Sequence, residues 1–295
     1  MRRRMATAAA LGAALLVSGC AGQVWGAPPA HDPPQAPVSV APKAPAVPPT
    51  PPAGLDDRVR QATAQAAESG ADIEAAILDR TTGHFASSGS NQAFPIASVV
   101  KLFIADDLLL RASQGETELS DADRKAMDAM LRSSDDSAAQ TFWDRGGQND
   151  IISRIVARYG LSGTTAPWNG HWDVTESTAA DLVRYYDKLL NGSGGLSPEQ
   201  SSVIIGNLAR FTPTGNDGYP QRFGIPEGLS GEQVAVKQGW FCCWNGGNQL
   251  HVSTGIIGPD HRYVMAISSL DPTDEASARE HITQAVRTIF PGGKV

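Results

Sequence analysis

The chain predicts an α+β fold: an antiparallel sheet assembled from both ends of the sequence, flanked by helices, with an all-α subdomain between them. Two observations carry this. Strand-like segments at residues 73–87 and 233–270 are separated by a long stretch of helical periodicity. The late strand-like segments are joined by short turn-forming sequences, which makes them antiparallel neighbours.

In chain order, residues 73–79 alternate weakly and are followed by Thr81-Thr82-Gly83 and a short segment near Phe85, the signature of a hairpin. Over residues 97–110, Val99, Val100, Leu102, Phe103, Ile104, Leu108, Leu109 and Leu110 cover most of a helix circumference, which predicts a buried central helix. Helical patterns continue over 120–131, 136–143, 150–159, 176–190 and 198–208. The last of these opens with Ser197, Pro198 and Gln200, an N-cap, a proline at N1 and a capping-box partner. Glu176 is expected in the first turn of its helix, where a carboxylate complements the helix dipole. Strands are expected at 233–240, 249–257 and 263–270, with Asn245-Gly246-Gly247-Asn248 and Gly258-Pro259-Asp260 as connections. A helix over 275–289 closes the chain.

Before this domain stand two segments of other kinds. Arg2, Arg3 and Arg4, an Ala/Leu/Val run and Val17-Ser18-Gly19-Cys20 follow the order of a secretory signal peptide, expected over residues 1–19. Its end resembles a bacterial lipobox, which makes Cys20 the expected lipidation site. Eleven of the 20 prolines lie between Pro28 and Pro52, interleaved with alanine, so residues 20–54 are expected to be an extended tether rather than helix or sheet. At about 3.1 Å per residue such a tether reaches on the order of 100 Å. Residues 55–295 are then one domain-sized unit with no later apolar run long enough to cross a bilayer. The expected location is extracytoplasmic, on the cell membrane through a lipid, facing the cell wall.

Composition excludes other classes. The 24 Lys+Arg against 31 Asp+Glu give a formal charge of −7, so the basic footprint of a nucleic-acid binder is missing. The six histidines are scattered and there are only three cysteines, so neither a metal site nor a cofactor is expected. Consecutive Cα atoms lie about 3.8 Å apart across a trans peptide, closer than disulfides prefer, so Cys242 and Cys243 are expected as two packed thiols.

The chemistry begins at Ser98-Val99-Val100-Lys101 at the start of the buried helix. Residues i and i+3 share a helix face, which puts the Lys101 amine within reach of the Ser98 hydroxyl. A helix N-terminus also favours developing negative charge there, and a neutral amine would activate the serine. Later come Ser134-Asp135-Asp136 at a helix start and Lys237-Gln238-Gly239 on an expected strand, whose glycine permits close backbone approach. Asp135 read alone is a helix cap.

This order of motifs resembles that of the serine β-lactamase and penicillin-binding D,D-peptidase superfamily, marked by S-x-x-K, S-D-N and K-T-G. The likeness spans residues 55–295, including Pro226 ahead of the third motif. It implies an acyl-transfer site in which Ser98 is the nucleophile, Lys101 its proton acceptor, Ser134 the relay to the leaving nitrogen and Lys237 the cation facing a substrate carboxylate. The backbone N–H groups of Ser98 and Trp240 would form the oxyanion hole. Asp136, Gln238 and Gly239 would contact the ligand, a β-lactam or a peptidoglycan-like molecule.

Three departures from the family pattern weaken hydrolysis. Asp136 stands where an amide donor is expected, and would repel an anionic ligand. Gln238 replaces a short hydroxyl side chain and could fill the carboxylate pocket. Residues 160–173, matching the class A omega loop, contain no Glu, so the deacylating base of that class is missing. The resulting expectation is a poor or inactive β-lactam hydrolase that at most acylates slowly on Ser98. The alternatives are an active β-lactamase or D,D-peptidase, and a non-catalytic cell-wall-binding pseudoenzyme. A Ser-His-Asp hydrolase is disfavoured by the absence of a G-x-S-x-G elbow.

Overall fold

Helix α1 (Leu55–Glu68) leads into the hairpin of β1 (Asp72–Asp79) and β2 (His84–Ser87), and α9 (Glu275–Ile289) returns at the end of the chain to pack against α1. This computed structural model describes residues 54–295; the expected signal peptide, Cys20 and the tether up to residue 53 lie outside the described residues. No helix among the described residues is long and apolar enough to cross a membrane.

The C-terminal strands are β5 (Val234–Trp244), β6 (Asn248–Ile257) and β7 (Tyr263–Asp271), and β1 pairs with β7. The sheet therefore runs β2-β1-β7-β6-β5, antiparallel throughout, with the two ends of the domain sharing it. Helices α1 and α9 cover one face, Val59, Ala62, Ile282 and Val286 packing in one core with Ile73 and Ile77 of β1. The other face meets the helical subdomain.

That subdomain is built around α2 (Lys101–Ser113), whose Leu102, Phe103, Ile104 and Ala105 are all essentially fully buried. Around it lie α3 (Asp121–Arg132), α4 (Asp136–Gly146), α5 (Asn149–Tyr159), α6 (Ala179–Asn191) and α7 (Pro198–Leu208). Their boundaries have chemical causes. Ser120 and Ser197 close capping boxes on α3 and α7, Asp135 accepts the Ala138 N–H at the start of α4, and Thr178 caps α6. A short helix α8 (Ile225–Gly228) precedes β5.

Two readings of the sequence are corrected. Residue Glu176 is not in a helix: it pairs with Pro95 in a two-stranded ribbon of β3 (Phe94–Pro95) and β4 (Glu176–Ser177), because Thr178 supplies the cap and α6 starts only after it. Cys242 and Cys243 are not two free packed thiols but are joined by a disulfide between adjacent residues, at the irregular end of β5 where the pairing with β6 shifts register.

Candidate active site

Ser98 lies in a single 3-10 turn (Ala97–Val100) that runs directly into α2. Ala97 is held at φ +46° and Ser134 at φ +58°, the left-handed region that non-glycine residues avoid. Two such residues at one site are local strain that the surrounding structure maintains. The Ser98 side chain is buried to 8% exposure at the edge of a cavity, and Lys101, one turn on, is wholly buried.

Lys101 Nζ donates to Ser98 Oγ at 2.8 Å, to the Ser134 carbonyl at 2.8 Å, to Ser134 Oγ at 3.1 Å and to Asp136 Oδ1 at 2.5 Å. Four oxygens compete for three ammonium protons, so the cluster cannot be fully satisfied by a lysine that only donates. In the neutral form, two N–H groups would serve the Ser134 carbonyl and Asp136, and the lone pair would face the Ser98 hydroxyl. Burial pulls the Lys101 amine below its ordinary range, while the Asp136 charge pushes it back up. The Lys101 ammonium position also lies 4.7 Å from the Trp172 ring centre.

Lys237 approaches from β5 and donates to Ser134 Oγ at 2.9 Å and to the Gln238 carbonyl at 3.0 Å. Ser134 Oγ thus joins the two lysines. Burial, and then the neighbouring Lys101, hold the Lys237 amine well below its usual range. Gly239 shows why β5 can come this close: a β-carbon there would sit 2.6 Å from the Ile96 carbonyl oxygen and 3.3 Å from the Ser98 amide nitrogen. Gln238 turns away from Ser98, its amide donating to the carbonyls of Gln221 and Phe223 at 3.1 and 2.7 Å.

The cavity has a volume of about 350 Å³. Ser98, Asp136 and Trp240 are on its wall; Lys101, Ser134, Lys237, Gln238 and Gly239 lie behind it. The wall also carries Trp172, Asp173, Asp217, Tyr219 and Glu275. Tyr219 stacks on Trp240, with ring centres 5.0 Å apart and planes at 11°. Asp217 accepts the Trp240 indole N–H at 3.2 Å. Among the described residues no group of His, Cys, Asp and Glu is placed to hold a metal ion.

A sequence model of the β-lactamase enzyme family matches residues 124–291. Proteins named "Putative lipoprotein LppW" from Mycobacterium bovis and Mycobacterium tuberculosis are 55% identical over 255 residues, 86% of this chain and 81% of theirs. The chain belongs to the β-lactamase enzyme family. The family fold extends across the described domain: a β-lactamase from Chitinophaga pinensis superposes with a TM-score of 0.65 at 16% identity, covering 79% of this chain and 98% of that one. A class A β-lactamase from Mycobacterium abscessus gives 0.62 at 21%, covering 80% and 98%. A mutant of PBP-A, solved as an acyl-enzyme complex with penicillin G, gives 0.65 at 20%, covering 80% and 94%.

Within this β-lactamase-family site, three wall carboxylates are beyond the motif reading of the sequence. Asp173 lies at the end of residues 160–173, where the family pattern calls for Glu; burial raises its carboxyl above the usual range. Asp217 and Glu275 carry no motif, and only folding brings them to the wall. Asp173 lies in a 3-10 turn (Trp172–Val174) that packs against the Ser98 turn, a contact that only folding creates.

Proposed function

We propose that the protein is an exported, lipid-anchored serine acyl-transfer protein facing the cell wall, acylated on Ser98 by β-lactams or peptidoglycan-like carbonyl donors and slow to release the acyl group. The observation that carries this reading is the Lys101 amine 2.8 Å from the Ser98 hydroxyl, inside a buried cluster that also holds Ser134 and Lys237. In the step proposed, Ser98 Oγ bonds to the carbonyl carbon and its proton passes to neutral Lys101. The C–N bond breaks, and Ser134 gives its hydroxyl proton to the leaving nitrogen while taking up the one held by Lys101, which returns to the neutral amine. The Ser98 and Trp240 backbone N–H groups would hold the oxyanion, a contribution of several kcal/mol. The lipoprotein name of the mycobacterial relatives supports the anchor at Cys20.

Slow acylation follows from Asp136, whose carboxylate favours the charged form of Lys101 and so opposes proton acceptance, and slow release from residues 160–173, which offer no Glu to activate water. Timed intact-mass spectrometry with benzylpenicillin should show one persistent adduct on the wild type and none on Ser98→Ala. No wild-type adduct, or an adduct that survives the substitution, contradicts the proposal.

A second reading, a hydrolase with turnover, is favoured by one observation: Asp173 shares the cavity wall with Ser98 and has a raised pKa. Rapid turnover of a chromogenic cephalosporin that Asp173→Asn removes, leaving acylation intact, would select it over the first.

A further inference from the structure

We infer that the cavity beside Ser98 is built for a ligand carrying a positive charge, an amine or ammonium group, rather than for one held by its carboxylate. The inference rests on the reading of Ser98 as the acyl acceptor and names the ligand class of that site.

The wall holds four carboxylates, Asp136, Asp173, Asp217 and Glu275, and no Lys, Arg or His. Both lysines of the site lie behind it at 0 and 1% exposure, and their nitrogens are committed to protein oxygens. A ligand carboxylate entering here meets negative charge first and finds no cation on the surface. Two of the acids are already compensated: Asp136 by Lys101 at 2.5 Å and Glu275 by Arg279 at 3.8 Å. Asp217 forms no ion pair among the described residues and accepts only from the Trp240 indole and the Tyr219 backbone N–H, whereas burial favours the neutral form of Asp173 and the His171 and Lys101 charges act on it, so the negative charge left for a ligand is first that of Asp217, with Asp173 beside it.

The aromatic lining is of the same character. Trp172, Tyr219 and Trp240 line the cavity beside those carboxylates, and aromatic faces with adjacent acids attract ammonium groups; two of the rings already do so within the protein, Trp172 with Lys101 at 4.7 Å and Tyr219 with Arg279 at 5.1 Å. The volume, about 350 Å³, suits a small ligand or one end of a larger one. Of the four wall acids only Asp136 hydrogen-bonds the Lys101 amine, whose other bonds go to Ser98 and Ser134; the Asp217 charge acts on both lysines through space alone.

The test separates binding from acylation. Full-chain Ser98→Ala protein is titrated with benzyltrimethylammonium and, separately, phenylacetate, read by the fluorescence of the cavity tryptophans. The cation should bind saturably and at least ten-fold more tightly than the anion. Added salt should weaken it, and Asp217→Asn or Asp173→Asn should each weaken it several-fold. Glu275→Gln, at an exposed position already paired with Arg279, should weaken it less. Equal or tighter binding of phenylacetate, or cation binding indifferent to both Asp substitutions with the fold intact by circular dichroism, overturns the inference. In wild-type protein, ampicillin and benzylpenicillin differ by one amino group, and Ser98 should acylate at least ten-fold faster with ampicillin. Absence of acylation by both, with cation binding retained in Ser98→Ala, would remove the acyl-transfer reading and leave the cation site standing.

Discussion

Among the buried charges of helix α2, Lys101 and Asp106 lie five residues apart and sit in opposite circumstances. Asp106, fully buried, is surrounded by donors: the Arg158 guanidinium, the Tyr159 hydroxyl at 2.5 Å and the Tyr185 hydroxyl at 3.2 Å. Burial raises its carboxyl, and it stands apart from the cavity beside Ser98. Lys101, equally buried, faces more oxygens than it has protons and lies behind that cavity's wall. Charge burial alone therefore marks no function. What distinguishes the Lys101 end of the helix is an unsatisfied proton balance, a serine within reach and two residues held at positive φ.

The largest effect expected is at the closed cluster. Asp106→Ala leaves the Arg158 charge without its counter-ion and the Tyr159 hydroxyl without its acceptor, with Tyr185 left only its bond to the Leu102 carbonyl, and should cost about 3–5 kcal/mol in denaturant unfolding. A loss below ~1 kcal/mol would remove the contrast between the two ends of α2.

Next comes pH. His251 pairs with Trp240 across β5 and β6 and is held neutral by burial, its pKa lowered from 6.5 to about 4. The unfolded chain binds the proton first, so stability rises with pH between those values and falls as pH drops from 6.5 towards 4. The contribution is at most ~3 kcal/mol. His251→Gln should flatten that part of the stability–pH curve; an unchanged slope contradicts the assignment.

Gly239→Ala should cost ~1–3 kcal/mol, since the new methyl meets the Ile96 carbonyl backbone rather than a flexible side chain. It should also slow Ser98 acylation more than the stability loss explains, by moving β5 off the Ser98 turn.

Much of this is legible in the sequence. The bounds of α9 can be read because Asp274 caps a run of regular periodicity, and those of α7 because Ser197, Pro198 and Gln200 all act locally. Glu176 reads as helical because two residues of ribbon before a cap carry no periodic signal. The Lys101–Ser98 contact follows from helix geometry, and the resemblance puts Asp136 at the ligand, where the structure finds it on the cavity wall. The acidic wall is not legible: Asp173, Asp217 and Glu275 come from three separate segments, and no local pattern links them.

The most direct measurement is timed intact-mass spectrometry of wild type and Asp136→Asn with the same penicillin. Asp136 is 68% exposed on its side chain and Asn keeps an acceptor oxygen for the buried Lys101 amine, so the fold is expected to survive the substitution. Removing its charge lowers the Lys101 pKa further and returns an N–H donor to the wall. The account predicts that Ser98 then acylates about ten-fold faster. An unchanged or smaller adduct fraction in the Asn variant, with its fold intact by circular dichroism, would contradict the coupling of Asp136 to the Lys101–Ser98 pair.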